Sequence, residues 1–277
     1  MRLGAPLFGR WNSPDEWVGT VVAAGYRAAY APIDEKSDTD TIAAYRTAAV
    51  ANDIVIAEVG AWSNPLSVDS TTRAQAISFC QARLALADAL GARCCVNIAG
   101  SRGSEWDGPD ADNYTEDTFA LIVDTVREII DAVKPTQTYY TLETMPWMYP
   151  DSPESYLRLI KAIDRPQFAA HLDPINMMNS VERFYQHREF ISHCVDLLGP
   201  YIRACHIKDM VIDRPFVVSL RETAPGRGSL DYAYLLRQLQ RLESDTPVLL
   251  EHLSEAAEYD AAAVYVRAKA AEVGIQL

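Results

Sequence analysis

The sequence has little positive charge and no cluster of it. It contains 25 Lys and Arg residues against 38 Asp and Glu, a formal net charge of −13, and no basic run occurs in it. Proteins bind a nucleic-acid backbone through clustered Lys and Arg side chains that displace its counterions. We therefore do not expect nucleic acid as a partner.

Long hydrophobic runs are also lacking. The first residues, MRLGAPLFGRW, contain no apolar stretch of signal-peptide length. Apolar stretches elsewhere fall far short of the roughly 20 residues that a membrane-spanning helix needs. These features predict a cytoplasmic protein with no membrane partner.

Paired cysteines and linkers are lacking as well. Five cysteines occur without a CxxC motif, mostly within apolar segments, so we expect reduced core residues. No Pro-, Ser- or Gly-rich linker and no low-complexity tract divides the chain. Its 277 residues, 49% hydrophobic and 23% charged, fit one or two ordinary globular domains by length alone.

Short apolar runs alternate with longer stretches of helical periodicity from end to end. The predicted strands are Arg2–Leu7, Tyr26–Ala31, Ile54–Val59, Arg93–Ile98, Thr138–Glu143, Phe168–Leu172, Ile202–Ile207 and Val248–His252. The predicted helices are Pro14–Ala24, Asp40–Asn52, Thr71–Leu90, Thr115–Val133, Pro153–Ile163, Glu182–Leu198, Tyr232–Leu242 and Ala256–Val273. Eight such units predict an α/β fold, a (β/α)8 TIM barrel, as a single domain over residues 1–277. A doubly wound open sheet is the alternative, but no Gly-rich phosphate motif follows the first strand.

Capping residues and glycines mark several helix ends. The segments that begin at Ser13, Asp69 and Asp151 place a capping side chain before a first helical turn. Gly25, Gly91 and Gly199 follow helical stretches, where a left-handed residue can end a helix.

Four of the last predicted strands end in side chains that commonly bind metals. They are Glu143, Asp173, His206 and Glu251, separated by 30, 33 and 45 residues, about one strand–helix unit each. In a barrel the carboxyl ends of the strands form one mouth, so the four side chains should converge there. A single acidic residue after a strand often only caps the next helix, but four at unit spacing favour a common site.

Three converging carboxylates repel one another unless a cation neutralises them. Oxygen ligands with one imidazole suit one divalent ion, with Mn²⁺ first and Mg²⁺, Co²⁺ or Fe²⁺ as alternatives. An ion bound by neighbouring carbonyl and hydroxyl oxygens of a substrate would stabilise an enediolate, while Glu143 or Glu251 takes the proton next to the carbonyl.

The motifs at the ends of the predicted strands resemble those of a known superfamily. The sequence resembles the xylose-isomerase-like barrel superfamily of sugar isomerases, epimerases and inosose dehydratases over essentially its whole length. The segments that carry the resemblance are Leu142-Glu143-Thr144, His171-Leu172-Asp173-Pro174, His206-Ile207-Lys208-Asp209, Pro225-Gly226-Arg227-Gly228 and Leu250-Glu251-His252. It implies that the matching Glu, Asp, His and Glu bind the metal and that, as in ketose 3-epimerases, the two Glu are also the acid/base pair.

Further residues near these motifs are candidate substrate contacts, each with a structural alternative. His171 should share a strand face with Asp173, although it could equally be a core histidine. Lys208 and Asp209 could polarise a carbonyl and orient a ligand, or form a surface ion pair. Arg227 could meet a substrate hydroxyl or carboxylate, or simply occupy a turn. His252 should point away from Glu251, toward supporting or packing contacts.

Loops after the earlier strands are rich in aromatic residues suited to stacking on a sugar ring. The candidates there are Trp11, Trp62, Asn97, Arg102, Trp106 and Trp147. The loop Gly100–Asn113 is long enough for a lid or a subunit contact. With the segment Asp209–Gly228 it carries Trp106, Phe216 and Val217 without obvious cover, which predicts a homo-oligomer.

The expected function is a metal-dependent isomerase or epimerase acting on a small carbohydrate. A lyase or dehydratase acting on a keto-sugar, inosose or glycoside begins with the same proton abstraction and is the main alternative. A barrel that only binds sugars is a third. Metal-dependent apurinic endonucleases of this superfamily use additional histidines from early strands, whereas no histidine here precedes His171. Asn176 stands where those enzymes and many epimerases have the histidine of Asp-x-x-His, and it is a further candidate substrate contact.

Overall fold

Strands and helices alternate along the chain in the computed structural model of the protein, which describes residues 1–214 and 217–277. The strands are β1 Arg2–Gly4, β2 Ala28–Tyr30, β3 Val55–Gly60, β4 Cys94–Asn97, β5 Tyr139–Glu143, β6 Phe168–Leu172, β7 Ile202–Ile207, β8 Asp209–Asp213, β9 Ser219–Thr223 and β10 Pro247–Leu250. The helices are α1 Pro14–Ala23, α2 Thr39–Ala51, α3 Ser70–Leu90, α4 Glu116–Val133, α5 Pro153–Ile163, α6 Val181–Tyr185, α7 His187–Leu198, α8 Tyr232–Leu239 and α9 Ala256–Glu272. The predicted (β/α)8 barrel is confirmed.

Eight of these strands form one parallel sheet in the order β1-β10-β7-β6-β5-β4-β3-β2. Its two edge strands meet as well, because Arg27 N–H donates to Leu3 O at 3.1 Å, so that the barrel is nearly closed. All eight carboxyl ends therefore lie at one mouth, as the parallel arrangement requires.

Gly4 allows the closest approach at this closure. A Cβ built at Gly4 would lie 2.4 Å from Ala28 O and 2.6 Å from Leu249 Cδ2. Any larger residue would push β1 away from β2 and β10, so glycine is needed here for its small size.

Capping at the helix ends agrees with the sequence, with one exception. The side chains of Ser13, Asp69 and Ser152 each accept a backbone N–H of the first turn. Gly25 and Gly91 are left-handed, with φ of 70° and 69°. Gly199 is not left-handed (φ −44°), because the chain continues there into a 3-10 turn, Gly199–Tyr201.

One predicted helix is divided. The stretch Glu182–Leu198 forms α6 and α7, with Gln186 at φ −101° and ψ 30° between them. His187 Nδ1 lies 3.0 Å from the Phe184 carbonyl, an acceptor that a continuous helix would use for a backbone N–H.

The segment Asp209–Gly228, in which the sequence predicts no strand, contains an antiparallel hairpin. Strands β8 and β9 pair with the register Asp209↔Thr223 to Asp213↔Ser219. Phe216 lies outside the described residues, whereas Val217 lies at the hairpin end and is 82% exposed.

A shift in register between β2 and β3 reorients one side chain of the barrel. Ala29 pairs with Ile56 and Tyr30 with Glu58, so that Ala57 has no partner across the pair. Ala57 packs with Ala28 and Leu249 inside the barrel, yet Glu58 also reaches the interior, where it contacts His171. Strict alternation would have placed these two neighbours on opposite faces.

Tyr156 of α5 joins β5 to β6 near the mouth. Its hydroxyl accepts the backbone N–H groups of Leu142 and His171, both at 3.1 Å, and is within donating distance of Ala169 O. The cysteines Cys80, Cys94, Cys95, Cys194 and Cys205 are free and buried, as predicted. Among the described residues, none of the helices is both long and apolar enough to span a bilayer.

We predict that Gly4→Ala destabilises the protein by about 1–3 kcal/mol, because the added methyl group overpacks the contact between β1 and β2. Gly19→Ala is the matched control: its Cβ would meet nothing within 4 Å, and in α1 it should stabilise by about 0.5–1 kcal/mol. Urea unfolding of the parent and both variants measures the free energy of unfolding. If Gly4→Ala and the parent had equal midpoints, the barrel would tolerate a wider separation of β1 and β2.

Candidate metal and substrate site

The four predicted ligand residues converge at the mouth of the barrel. Glu143 ends β5, Asp173 follows β6, His206 lies near the end of β7 and Glu251 follows β10. One oxygen or nitrogen from each lies within 4.8 Å of the others, and all four side chains are buried. Because the strands are parallel and their side chains alternate, the same inward face presents each ligand.

The distances within this quartet show how closely the charges approach. His206 Nδ1 lies 2.9 Å from Glu143 Oε1 and 2.7 Å from Glu251 Oε2. Asp173 Oδ1 accepts the backbone N–H groups of Ile175 and Asn176 at 2.8 and 3.1 Å, which leaves Oδ2 to face the site.

Burial and neighbouring charges shift the pKa values of these groups in opposite directions. Burial raises the pKa of Asp173 to about 7, against the opposing effect of Lys208 and reinforced by Glu251 and Glu143. Burial acts to lower the pKa of His206, but the carboxylates of Glu251, Glu143 and Glu58 outweigh it and raise that pKa well above its ordinary value. The site thus carries more negative charge than its burial alone would tolerate, which favours a bound cation.

Lys208 supplies positive charge next to the quartet and is buried, so the alternative of a surface ion pair is wrong. Its Nζ lies 2.6 Å from Glu251 Oε1 and 3.0 Å from Asp173 Oδ2. The hairpin contributes Glu222, whose Oε2 is also 3.0 Å from Lys208 Nζ. Glu222 could not be predicted from the sequence, because only the pairing of β8 with β9 brings it to the barrel mouth.

His252 faces the site rather than away from it. Its backbone is left-handed, with φ of 55°, so the alternation assumed for a continuing strand does not apply after Leu250. Its Nδ1 lies 3.0 Å from Glu222 Oε2, and its Nε2 lies 3.6 Å from Glu251 Oε2. The hydrogen bond to Glu222 contributes most to raising the pKa of His252.

A second buried group lies beside the quartet. Glu58 Oε2 is 2.8 Å from His171 Nε2 and 3.4 Å from His206 Nε2. Burial acts to raise the pKa of Glu58, but His206 and His171 outweigh it and lower that pKa to about 2. His171 was a predicted site residue, whereas Glu58 was not, since the register shift in β3 that turns Glu58 inward has no sequence signal.

An open pocket of about 400 Å³ lies over the quartet. Glu143, His206 and Glu251 form part of its lining, and Asn176 reaches it with Nδ2 3.4 Å from Glu143 Oε1. The aromatic side chains in the lining are Tyr30, Trp62, Trp106 and Tyr259. Trp62 and Trp106, both 42% exposed, are the candidates for stacking on a sugar ring.

Three residues that were predicted to contact substrate do not line the pocket. Asn97 is fully buried and hydrogen bonds to the backbone of Ser63, so it supports a loop. Asp209 is also buried, and its carboxylate accepts the N–H groups of Gly226, Gly228 and Leu230 where the chain returns from the hairpin. Arg227 is outside the pocket lining, with its side chain 63% exposed and its Nη1 3.5 Å from Glu258 Oε1.

The remaining loop candidates make structural contacts. Trp11 Nε1 donates to Thr20 Oγ1, Arg102 Nη1 donates to Leu66 O, and Trp147 Nε1 donates to Asp107 O. Trp106 is thus the member of the loop Gly100–Asn113 that combines a pocket position with a large exposed surface.

Comparison by sequence identifies one family. A profile described as xylose isomerase-like TIM barrel matches residues 18–269. No curated protein matches this sequence.

Comparison by structure finds solved barrels that superpose over nearly the whole chain. D-psicose 3-epimerase from Clostridium cellulolyticum H10, solved with D-tagatose, has a TM-score of 0.70 and 15% identity, with 100% of each chain covered. The probable 3-DHS dehydratase AsbF from Bacillus anthracis has a TM-score of 0.70 and 15% identity, with 96% of this chain and 97% of that chain covered. A xylose isomerase-like TIM barrel protein from Mycobacterium smegmatis, in complex with magnesium, has a TM-score of 0.67 and 14% identity, covering 98% and 97%. At these identities the likeness shows the fold alone.

Proposed function

The chain belongs to the xylose isomerase-like TIM barrel family, and from that premise we propose that it is a divalent-metal-dependent isomerase or epimerase acting on a sugar or keto-sugar. The observation that carries this proposal is that two buried carboxylates, Glu143 and Glu251, both line one open pocket and lie 2.9 and 2.7 Å from His206 Nδ1. An acid and a base are thereby available to one substrate.

The two glutamates supply the proton transfers. One carboxylate takes the proton from the carbon next to the substrate carbonyl, and the substrate becomes an enediolate. Return of the proton to the opposite face of the same carbon gives an epimer, whereas return to the neighbouring carbon gives an aldose–ketose isomer. Lys208, whose ammonium lies 2.6 Å from Glu251 Oε1, holds that carboxylate in place.

The donor set fits one divalent ion. Glu143, Asp173, His206 and Glu251 would hold it, since three hard oxygen donors and one imidazole lie within 4.8 Å of one another. Among the described residues, the buried Asp173 Oδ2 accepts no hydrogen bond of good geometry, and the Lys208 ammonium lies 3.0 Å from it, so this oxygen attracts positive charge. Mn²⁺ suits this mixed set, with Mg²⁺, Co²⁺ and Fe²⁺ as alternatives. When bound, the ion supplies a Lewis acid that stabilises negative charge on substrate oxygens.

The pocket lining favours an unphosphorylated carbohydrate. Trp62 and Trp106 offer apolar faces for a sugar ring, and Asn176 and His252 offer polar groups for its hydroxyls. Neither Lys nor Arg belongs to the lining formed by the described residues, so a phosphate group would meet no ammonium or guanidinium side chain there. The D-psicose 3-epimerase with this fold was solved with D-tagatose, a sugar of the same class.

A dehydratase is the second candidate, and His252 is the observation that favours it. β-Elimination begins with the same proton abstraction and then needs an acid beside the leaving hydroxyl. His252 lines the pocket, and its Nε2 lies 3.6 Å from Glu251 Oε2. Loss of 18 mass units from the substrate, which is one water, would identify this outcome.

We predict that the purified protein binds one Mn²⁺ per chain. Asp173→Ala/His206→Ala should abolish binding, because it removes two of the four ligands. The surface variant Asp124→Ala/His193→Ala, which removes the same residue types from exposed positions, should bind like the parent. Titration calorimetry with Mn²⁺, after the protein has been treated with a chelator, measures the affinity and the number of ions bound. Equal Mn²⁺ binding by the two double variants would contradict the proposed metal ligands.

We predict that Glu143→Gln and Glu251→Gln each reduce turnover by about 10²–10⁴-fold while metal remains bound, because an amide cannot accept the proton. Activity is sought with a panel of ketoses, aldoses and keto-sugars in deuterated water, where deuterium enters the carbon next to the carbonyl. Glu116→Gln, an exposed position, is the control. A Gln variant that keeps its metal and turns over within a few-fold of the parent would make that glutamate a ligand only.

We also propose that the protein assembles into a homo-oligomer. Trp106 in the pocket lining and Val217 at the hairpin end are exposed, and a second subunit there would remove apolar surface from water. Light scattering at micromolar concentration should give at least twice the chain mass of 30.8 kDa, and a monomer would contradict this proposal.

A further inference from the structure

Glu58 is a buried carboxylate that the proposed proton transfers do not use. It is 1% exposed, does not line the pocket and lies on the far side of His206 from Glu143 and Glu251. Burying a charge is costly unless hydrogen bonds or ion pairs compensate it, so this residue needs a structural or functional explanation.

The Glu58 carboxylate contacts two imidazole nitrogens, one from each of two histidines. Glu58 Oε2 lies 2.8 Å from His171 Nε2 and 3.4 Å from His206 Nε2. The two rings pack edge to face, with centroids 4.2 Å apart and an angle of 74° between their planes. The shorter separation is that of a hydrogen bond, in which His171 Nε2 donates to the carboxylate, whereas the longer one is an electrostatic contact between the carboxylate and the His206 ring.

The other nitrogen of the His206 ring faces the ligand quartet. Nδ1 lies 2.9 Å from Glu143 Oε1 and 2.7 Å from Glu251 Oε2. A His206 ring that binds a metal through Nδ1 gives up the proton there and keeps the proton on Nε2, the nitrogen that faces Glu58. A carboxylate at Glu58 would therefore stabilise the ring in the form that a metal requires.

We propose that Glu58 is a positioning residue, which acts through its contacts with both histidines to hold His206 with Nδ1 directed at the metal. His171 supports the contact between Glu58 and His206, because its ring packs against His206 and its Nε2 hydrogen bonds to the same oxygen of Glu58. This inference rests on the proposed metal centre. It adds an outer layer to that centre, of the kind in which a carboxylate orients a ligating imidazole.

A second metal site formed by Glu58, His171 and His206 is the competing explanation, since their donor atoms also lie within 4.8 Å of one another. It would require His206 to offer both nitrogens to metals at once. The separation of 2.8 Å between Glu58 Oε2 and His171 Nε2 is that of a hydrogen bond between them. These observations favour support of one metal over a second site.

The test is a double-mutant cycle read out by Co²⁺ binding. Glu58→Gln should weaken Co²⁺ binding by about 10–100-fold and change the visible spectrum of the bound ion. In the His206→Ala background, where Glu143, Asp173 and Glu251 remain as ligands, the same substitution should cause no further loss. A role in general stability would instead lower affinity equally in both backgrounds.

Thr141→Val is the matched control, because it removes a buried hydrogen bond to Cys95 O inside the barrel without touching either histidine. It should leave Co²⁺ affinity and spectrum unchanged. Circular dichroism verifies folding, and if Glu58→Gln does not fold, Glu58→Asp, which draws the carboxylate back from the rings, must weaken binding through His206 as well.

The outcomes separate this inference from the metal centre itself. If the parent binds no divalent ion, the metal centre is wrong. If the parent binds one ion and Glu58→Gln binds it equally, or loses equal affinity with and without His206, the positioning role is wrong. Two ions in the parent with one lost in Glu58→Gln would make Glu58 a ligand and overturn the proposal.

Discussion

Three carboxylates and an imidazole gathered at the barrel mouth are the constraint on which the rest of the site depends. Glu143, Asp173 and Glu251 would repel one another strongly in a buried setting, and each approaches a cationic or proton-bearing group. The strands hold the backbones in place, so the side chains cannot relieve the repulsion by moving apart. Positive charge must be brought to them, which is why His206 and Lys208 lie among them.

The charges surrounding the quartet are arranged in two groups on opposite sides. On one side, Glu58 and His171 contact the back of His206 inside the barrel, away from the pocket. On the other side, Glu222 and His252 lie near Lys208 at the half-exposed mouth. The first group is shielded from water, whereas in the second group His252 lines the pocket.

The hairpin formed by β8 and β9 connects the outer group to the fold. Asp209 anchors its base by accepting three backbone N–H groups where the chain returns. Because this base is buried and well bonded, Glu222 reaches Lys208 from a defined position, although most of β9 is exposed. Asp209 thus affects the site through backbone geometry and has no contact with the pocket.

The sequence alone was sufficient to predict the barrel and the convergence of four side chains that could hold a metal ion. Strand–helix alternation determines the number of units, and residues that end parallel strands must meet at one mouth, so Glu143, Asp173, His206 and Glu251 could be found from their spacing. Only the tertiary structure decided that Glu58, Glu222 and His252 lie beside the quartet and that Asn97, Asp209 and Arg227 lie outside the pocket lining. The physical reason is that a register shift, a strand pairing between distant segments and a left-handed residue each reorient side chains without leaving a periodic pattern in the sequence.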